Sequence, residues 1–399
     1  MPNVAANTGQ SRYNDPIGGV KSTIGNQLSE FYFQKKALIE AAKDQYFMQL
    51  ADVTAMPKHM GKTIKRFHHI PLLDDANVND QGIDAAGVAI TNGNLYGSSK
   101  DVGTIQGKLP LLSEVGGRVN RVGFKRKDLE GSIQKFGFFD EYTQESLDFD
   151  SDAELRMHIN REMVVGASQI TEAVLQIDLL NSAGVVRFGG VAATTGDMDS
   201  SSKIAYGDLM RLSIDLDNNR VPKHTKVISG TRYVDTRTLP AARVMYIGSE
   251  LLPMLMGMKD QHGEPAYIPV HKYAAGTNVL RGEHGSVGEF RIVVVPEMLK
   301  WAGAGNDEDV NDTEEHYVTN GKYDVFPMLV IGSESFTTIG FQTDGKTVKF
   351  KITHKAPGDQ TADRNDPYGE SGFMSIKWYY GFMLLRPERI ALCKTTAIL

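Results

Sequence analysis

An α+β fold is what this sequence of 399 residues predicts, and three observations carry the prediction. The stretch Ser151–Ala183 holds the longest clean helical pattern, with Leu155, Ile159, Met163, Gly166/Ala167, Ile170, Val174 and Ile177 recurring at intervals of three and four. Elsewhere, short strand-like pieces are separated by Gly-, Asn- and Ser-rich turn signals. Strands and helices also fail to alternate in the regular way of a doubly wound parallel sheet.

The long helix is the best defined element. Ser151 and Glu154 form a capping box, in which hydroxyl and carboxylate each satisfy an orphan N–H. From Asp152 to Asn181 the rod would be about 45 Å long, well above the mean helix of about 11–12 residues. Arg156, Asn160, Ser168, Glu172 and Gln176 lie on the side opposite the apolar stripe, and Gly184 offers a left-handed stop. A rod of this length serves as a backbone across which other layers lie.

The totals narrow the class. Hydrophobic residues are 41% and charged residues 23% of the chain, which suits a folded protein with a sizeable core. A net charge of −6 argues against a dedicated nucleic-acid binder, which would carry a basic footprint. The single cysteine, Cys393, excludes an internal disulfide and a cysteine-based metal cluster, and it fits assembly in a reducing cytosol. The N-terminus lacks the basic-then-apolar run of a signal peptide. No apolar run approaches the roughly 20 residues of a membrane helix, so no membrane partner is expected.

Taken in order, residues 1–25 are polar and glycine-rich and read as an arm without its own core. Asn26–Leu50 has a helical pattern whose aromatic content (Phe31, Tyr32, Phe33, Tyr46, Phe47) demands a cover, from this chain or a neighbour. Residues 51–69 are basic. Strand-like Ile64–Ile70 and Gly131–Tyr142 flank a long excursion with little means of building a core, acidic at Asp74, Asp75, Asp80 and Asp84 and basic at Arg118, Arg121, Lys125, Arg126 and Lys127. These charge runs are either solvated surface or contacts to complementary charge on a partner. Beyond the long helix come a Gly/Ser/Asp/Thr linker at Thr194–Lys203, a helix at Tyr206–Asn218 and strands at Lys226–Ser229 and Ala242–Gly248. An apolar helix at Ser249–Met258 and a strand at Phe290–Val295 follow. An acidic loop, Asn306–Glu315, precedes strand-like Tyr323–Gly332, Phe373–Leu385 and Arg389–Thr396.

Motifs for chemistry fail on spacing. Gly61-Lys62-Thr63 imitates the end of a phosphate-binding loop, but the glycine required five residues earlier is Met56. Gly282–Gly288 lacks dinucleotide spacing and reads as a hairpin turn. His68 and His69 are adjacent, so in a strand they face opposite sides and share no metal. The calcium-loop start at Asp307 has Asp312 in place of the glycine and Val318 in place of the final glutamate. Asp215, Asp217 and Glu283 are the remaining candidates for paired carboxylates, and nothing in the sequence brings two together. Neither a catalytic residue nor a cofactor is expected.

The C-terminal run Asp366-Pro367-Tyr368-Gly369-Glu370-Ser371-Gly372-Phe373-Met374-Ser375-Ile376-Lys377-Trp378-Tyr379-Tyr380-Gly381 resembles a motif of tailed-bacteriophage major capsid proteins of the coliphage N-four-like group. The shared features are an Asp-Pro-x-Gly turn, Gly372, an aromatic strand bearing Lys377-Trp378, and Gly381 before a last hydrophobic strand. Glu370-Ser371 departs from the Gln-Arg-like pair more usual there. The turn Val279–Glu297 is also similar to the family, as are overall length and element order.

The resemblance implies a Hong Kong 97-like capsid fold. Residues 1–65 would be an N-terminal arm and 66–148 an extended loop region. Residues 149–200 with 350–399 would form a peripheral domain on a long spine helix, and 201–349 an axial domain. It implies a shell of hexamers and pentamers around double-stranded DNA, with a portal protein at one vertex and possible decoration proteins. Scaffolding would come from a separate protein or be dispensable, because residues 1–25 are too short and too weakly helical to guide assembly. The virion is the implied location, with assembly in the host bacterial cytoplasm. Phe31, Phe33, Tyr46, Arg118, Arg121, Lys125 and Arg126 are the candidate inter-subunit contacts. The alternatives are an encapsulin-like compartment shell and an α+β enzyme.

Overall fold

The computed structural model describes residues 46–69, 126–149 and 155–398, apart from position 51 and the short stretches 229–235, 240–242, 274–279, 281, 310–313, 342–348, 359–361 and 363–365. The chain enters through β1 (Asp52–Met56), β2 (Thr63–His69) and β3 (Arg126–Thr143), then α1 (Gln144–Phe149), the long helix α2 (Leu155–Asn181) and β4 (Val185–Phe188). Next come α3 (Tyr206–Asn218), β5 (Thr225–Ile228), β6 (Thr236–Leu239), β7 (Arg243–Ile247), α4 (Leu252–Met256), β8 (Tyr267–Pro269) and α5 (Val270–Tyr273). The last part is strand apart from a 3-10 turn at Pro387–Arg389: β9 (Glu283–Val287), β10 (Phe290–Val294), β11 (Val318–Thr319), β12 (Lys322–Tyr323), β13 (Phe326–Ile331), β14 (Phe336–Phe341), β15 (Lys351–Lys355), β16 (Ser371–Leu384) and β17 (Ile390–Thr395).

Two sheets organise these elements. A six-stranded sheet runs β1-β14-β16-β3-β2, with β15 paired to β16, and its centre is the long antiparallel pair of β16 and β3. A seven-stranded sheet runs β4-β17-β13-β7-β10-β9-β8. Its central strands are buried on both faces, so they read as continuous apolar runs such as Phe326–Ile331. One face (Val244, Tyr246, Leu329, Ile331, Ile390, Leu392) packs toward α2, and the alternate residues (Met245, Ile247, Met328, Val330, Ala391, Cys393) pack with Leu209, Leu212 and Leu216 of α3. The period of two in a strand produces this split. Cys393 is a free, buried thiol whose pKa is pushed up to about 12 by burial, so it behaves as an inert core residue.

Helix α2 joins the two sheets. Its core packs on Met374, Ile376, Trp378 and Tyr380 of β16 and on the inner face of the seven-stranded sheet. The helix runs unbroken through Gly166. The capping residues Ser151 and Glu154 lie outside the described residues. The stripe expected from the sequence is corrected in its C-terminal half: Ile170 and Ile177 are 42% and 47% exposed, while Met163, Ala167, Thr171, Leu175 and Leu179 are buried. Four-residue steps advance about 40° past a full turn, so the buried line winds around the helix as it crosses from one sheet to the other. Gly184 is also corrected: it is not left-handed. It lies under the Pro387 carbonyl, where a Cβ would sit 2.5 Å from the oxygen. By length and composition alone Ile159–Asn181 could cross a membrane, against the expectation from apolar runs. Interspersed Gly, Ala, Ser, Thr and Gln interrupt the run without making the helix polar.

The expected division at 349/350 separates strands that the structure pairs. β14 joins β16 over Phe336–Ile339, and β13 joins β17 along its whole length, both antiparallel. The expected border at 65/66 likewise falls inside β2. Helix Tyr206–Asn218 occurs with the expected ends. Ser249–Met258 is one turn of 3-10 helix followed by the short α4, since Pro253 stands at its start.

Candidate functional site

The first functional feature is a clasp on α2. Glu172, expected on a polar side, is partly buried, and its Oε1 accepts the backbone N–H of Tyr46 at 2.7 Å and of Phe47 at 2.6 Å. The Phe47 ring is buried and tilted against Tyr246 at 4.9 Å. Tyr46, a candidate inter-subunit contact, is half-buried at the edge of its own chain's core, near Gly282. Phe31 and Phe33 lie outside the described residues. Glu172 is the sole charge between Glu162 and Asp178, and that isolation was the signal available in the sequence.

Burial raises the Glu172 pKa, and the backbone N–H groups of Phe47, Tyr46 and Met48 offset part of the rise. A carboxyl raised in the folded state contributes stability below its unfolded pKa of about 4.3, and that contribution is lost as pH rises through the folded pKa. Limited proteolysis around residues 46–50 should therefore be slower at mildly acidic pH than at pH 8. Glu172→Gln should flatten that dependence, and Glu172→Ala should open the clasp at every pH. A Glu172→Ala protein cleaved at the wild-type rate would exclude the clasp.

The second feature is the β2–β3 ribbon from which residues 70–125 depart. Thr63–His69 pairs with Arg126–Ser132 in antiparallel register. Arg126 lies over the exposed Phe67 ring at 4.0 Å and pairs with Asp128 at 3.1 Å, while Lys65 pairs with Glu130. Its side chain stays half exposed on its own ribbon. Arg118, Arg121 and Lys125 fall outside the described residues.

The C-terminal motif is structural. Asp366 accepts hydrogen bonds from the Ser371 hydroxyl at 2.6 Å and its N–H at 2.8 Å, which closes the turn through Pro367; these bonds hold its carboxyl below the usual range. Gly369 supplies the left-handed residue of that turn, at φ +64°. Gly372 lies against the Pro357 ring. Lys377 is exposed, while Trp378 is 2% exposed between Phe136, Phe138 and Phe350. A side chain at Gly381 would run into the Ser132 carbonyl on β3.

The proposed carboxylates do not converge. Asp215 pairs with Arg187 at 2.6 Å, Asp217 with Arg243 at 2.5 Å, and Glu283 with Arg291 at 3.4 Å. Among the described residues, no group of His, Cys, Asp and Glu could hold a metal ion. In the acidic loop, Asp307 meets Lys322 at 3.5 Å and Glu314 pairs with Lys203, so its charge is partly spent within the chain. Arg243, whose role the sequence did not reveal, is 1% exposed and joins Asp217, Glu289 at 3.3 Å and the Val221 carbonyl at 3.0 Å.

With this geometry in hand, comparisons with known proteins agree with one another. A family described as phage capsid protein matches residues 126–394. The major capsid protein of Pseudomonas phage KPP21 is 64% identical over 386 residues, covering 97% of each chain. The capsid of Ralstonia phage GP4 superposes with a TM-score of 0.54 at 10% identity, over 94% of this chain and 96% of that one. The Cyanophage Pam1 capsid does so with 0.54 at 11%, over 93% and 97%. At these identities the two structures speak for the fold alone.

Proposed function

Because the chain belongs to the phage capsid protein family, we propose that it is the major capsid protein of a tailed phage, forming the icosahedral shell around double-stranded DNA. The observation that carries this reading is the 64% identity to a major capsid protein along 97% of both chains. The proposed shell contains hexamers and pentamers, admits a portal protein at one vertex, and is assembled in the host bacterial cytoplasm. Separate scaffolding and decoration proteins are compatible with it. Packaged DNA would be held weakly, as the net charge of −6 favours. A membrane is not among the proposed partners, and the buried row of α2 packing on two sheets supports that reading.

Within the proposed Hong Kong 97-like arrangement, the six-stranded sheet with α2 is the peripheral part and the seven-stranded sheet the axial part. Residues 66–148 are proposed as the extended loop region, with Arg118, Arg121, Lys125 and Arg126 contacting a neighbour, and residues 1–65 as the arm carrying Phe31 and Phe33. Interlocking of this kind buries more than the about 2,000 Å² of an ordinary stable pair. Negative-stain microscopy and size-exclusion chromatography of the expressed protein test the reading. Closed shells with capsomers are expected. A persistent monomer or dimer that turns over a substrate would overturn it.

A further inference from the structure

Three polar atoms where α2 meets β16 are shut off from solvent and have no hydrogen-bond partner among the described residues. They are Glu172 Oε2 on the helix, and Trp378 Nε1 and the Tyr380 hydroxyl on the strand. Trp378 and Tyr380 are two residues apart, so both point to the inner face of β16. Each is 2% exposed, in the core that this strand forms with α2. The Tyr46 and Phe47 N–H groups occupy Glu172 Oε1, which leaves Oε2 for another donor. Burial, and after it the charges of Asp178 and Glu172, push the Tyr380 phenol up. Burial and the Glu172 charge do the same to Tyr246 on β7. The carboxylate therefore acts on both sheets from one place.

Buried polar groups left unbonded are costly, and native proteins satisfy nearly all of them. Internal water is the usual means: it occurs about once per 27 residues and makes about three hydrogen bonds. The chemistry of the three atoms selects the ligand. An ionised Glu172 Oε2 only accepts, Trp378 Nε1 only donates, and a tyrosine hydroxyl does either. A cation would suit Glu172 and Asp178 but would be repelled by the indole N–H. An anion would suit the indole and be repelled by two carboxylates. Water, with two protons and two lone pairs, serves all three.

We propose that an internal water molecule bridges Glu172 Oε2 and the Tyr380 hydroxyl, with Trp378 Nε1 as the third partner of the site. Trp378 stands one pleat from Tyr380, about 7 Å along β16, within the span of one water and two side chains. The bridge ties β16 to the same carboxylate that holds Tyr46 and Phe47. One buried side chain thus joins the entering chain, the long helix and the six-stranded sheet. A water donating to Oε2 favours the ionised carboxyl. It works alongside the backbone N–H groups and against the burial that raises the Glu172 pKa.

Two measurements on the full chain test the proposal. Density at a resolution that shows ordered water should contain an isolated peak within hydrogen-bond distance of Glu172 Oε2 and the Tyr380 hydroxyl, and Tyr380→Phe should lose it. The second measurement is the pH profile of limited proteolysis around residues 46–50. The titratable groups around the site are Asp178 on α2, Tyr46 at the entry, Tyr246 on β7 and Tyr380 on β16. Losing the water removes a donor from the carboxylate, so Tyr380→Phe should move the pH at which protection is lost upward by about one unit. In a Glu172→Gln background the same substitution should move nothing. Circular dichroism melts verify that the variants fold. A profile unmoved by Tyr380→Phe overturns the proposal, as does wild-type density that is empty between the two atoms. Density continuous with the chain before Tyr46 overturns it too, since a side chain would then be the partner. If Tyr380→Phe fails to fold, the wild-type density decides alone.

Discussion

Trp378→Ala is expected to lower the unfolding free energy of the unassembled subunit by about 3–5 kcal/mol, the usual range for deleting a buried large aromatic. Trp378 is 2% exposed and stands where α2, β16 and β3 meet. Its ring stacks with Phe136 at 5.8 Å and meets Phe138 and Phe350 edge-on at 6.0 Å and 5.7 Å. Each such pair adds about 0.5–1.5 kcal/mol beyond area burial. The void would lie at the junction, where relaxation from one sheet is blocked by the other. Denaturant unfolding followed by circular dichroism measures the loss. The adjacent Lys377→Ala, on the exposed face, should change the unfolding free energy by about 0.5 kcal/mol or less. Equal effects from the two substitutions would show that the inner face is not the core of this unit.

Arg243→Ala is expected to destabilise by about 1.5–3 kcal/mol, through a different cause, the loss of charged hydrogen bonds made from the core. The guanidinium is 1% exposed and ties β7 to α3 and to the β9–β10 turn through Asp217 at 2.5 Å, Glu289 at 3.3 Å and Ser213 at 3.4 Å. Removing it strips two carboxylates of their cation and leaves the Val221 carbonyl without its 3.0 Å donor. Lys223 remains beside both carboxylates, at 2.6 Å from Glu289 and 3.5 Å from Asp217, and compensates only from the exposed side. Arg243→Lys should recover part of the loss, since a single ammonium cannot reach all these acceptors with the geometry of a planar fork.

The same cluster sets an acid limit. Lys223 is the main cause that holds the Glu289 carboxyl low, opposed by burial; at Asp217, burial raises the pKa but Arg243 and Lys223 outweigh it. A carboxyl depressed in the folded state contributes stability above its unfolded pKa and loses it as pH falls through the folded value. The contribution of this pair is thus complete at neutral pH and declines below about pH 4. Glu172, raised by burial, runs the other way. The wild-type stability profile should accordingly fall on the acid side, and Arg243→Ala should show a shallower fall there. An unchanged slope in that variant would remove Arg243 from the linkage.

The sequence determined the local elements. A period of three and four wrote α2, and alternation with turn signals wrote β2, β3, β16 and β17, because backbone direction repeats within a few residues. The Asp366–Gly381 run marked the family on its own, for its turn, its glycine close to Ser132 and its buried Trp378 each need a particular residue type. The missing spacings for phosphate loops and calcium loops were equally plain in one dimension. Tertiary structure decided what depends on residues far apart in the chain. It chose which side of α2 is buried, because two sheets rather than one press on it and turn the contact line. It paired β13 with β17 and β14 with β16 across the expected boundary. It turned Glu172 from a surface residue into the anchor of Tyr46 and Phe47, at 126 and 125 positions' remove. And it set Lys351 opposite Lys377 and Lys135 beside Tyr379, a gathering of charge that strand register alone creates, since register is fixed by the whole sheet and is written in no single segment.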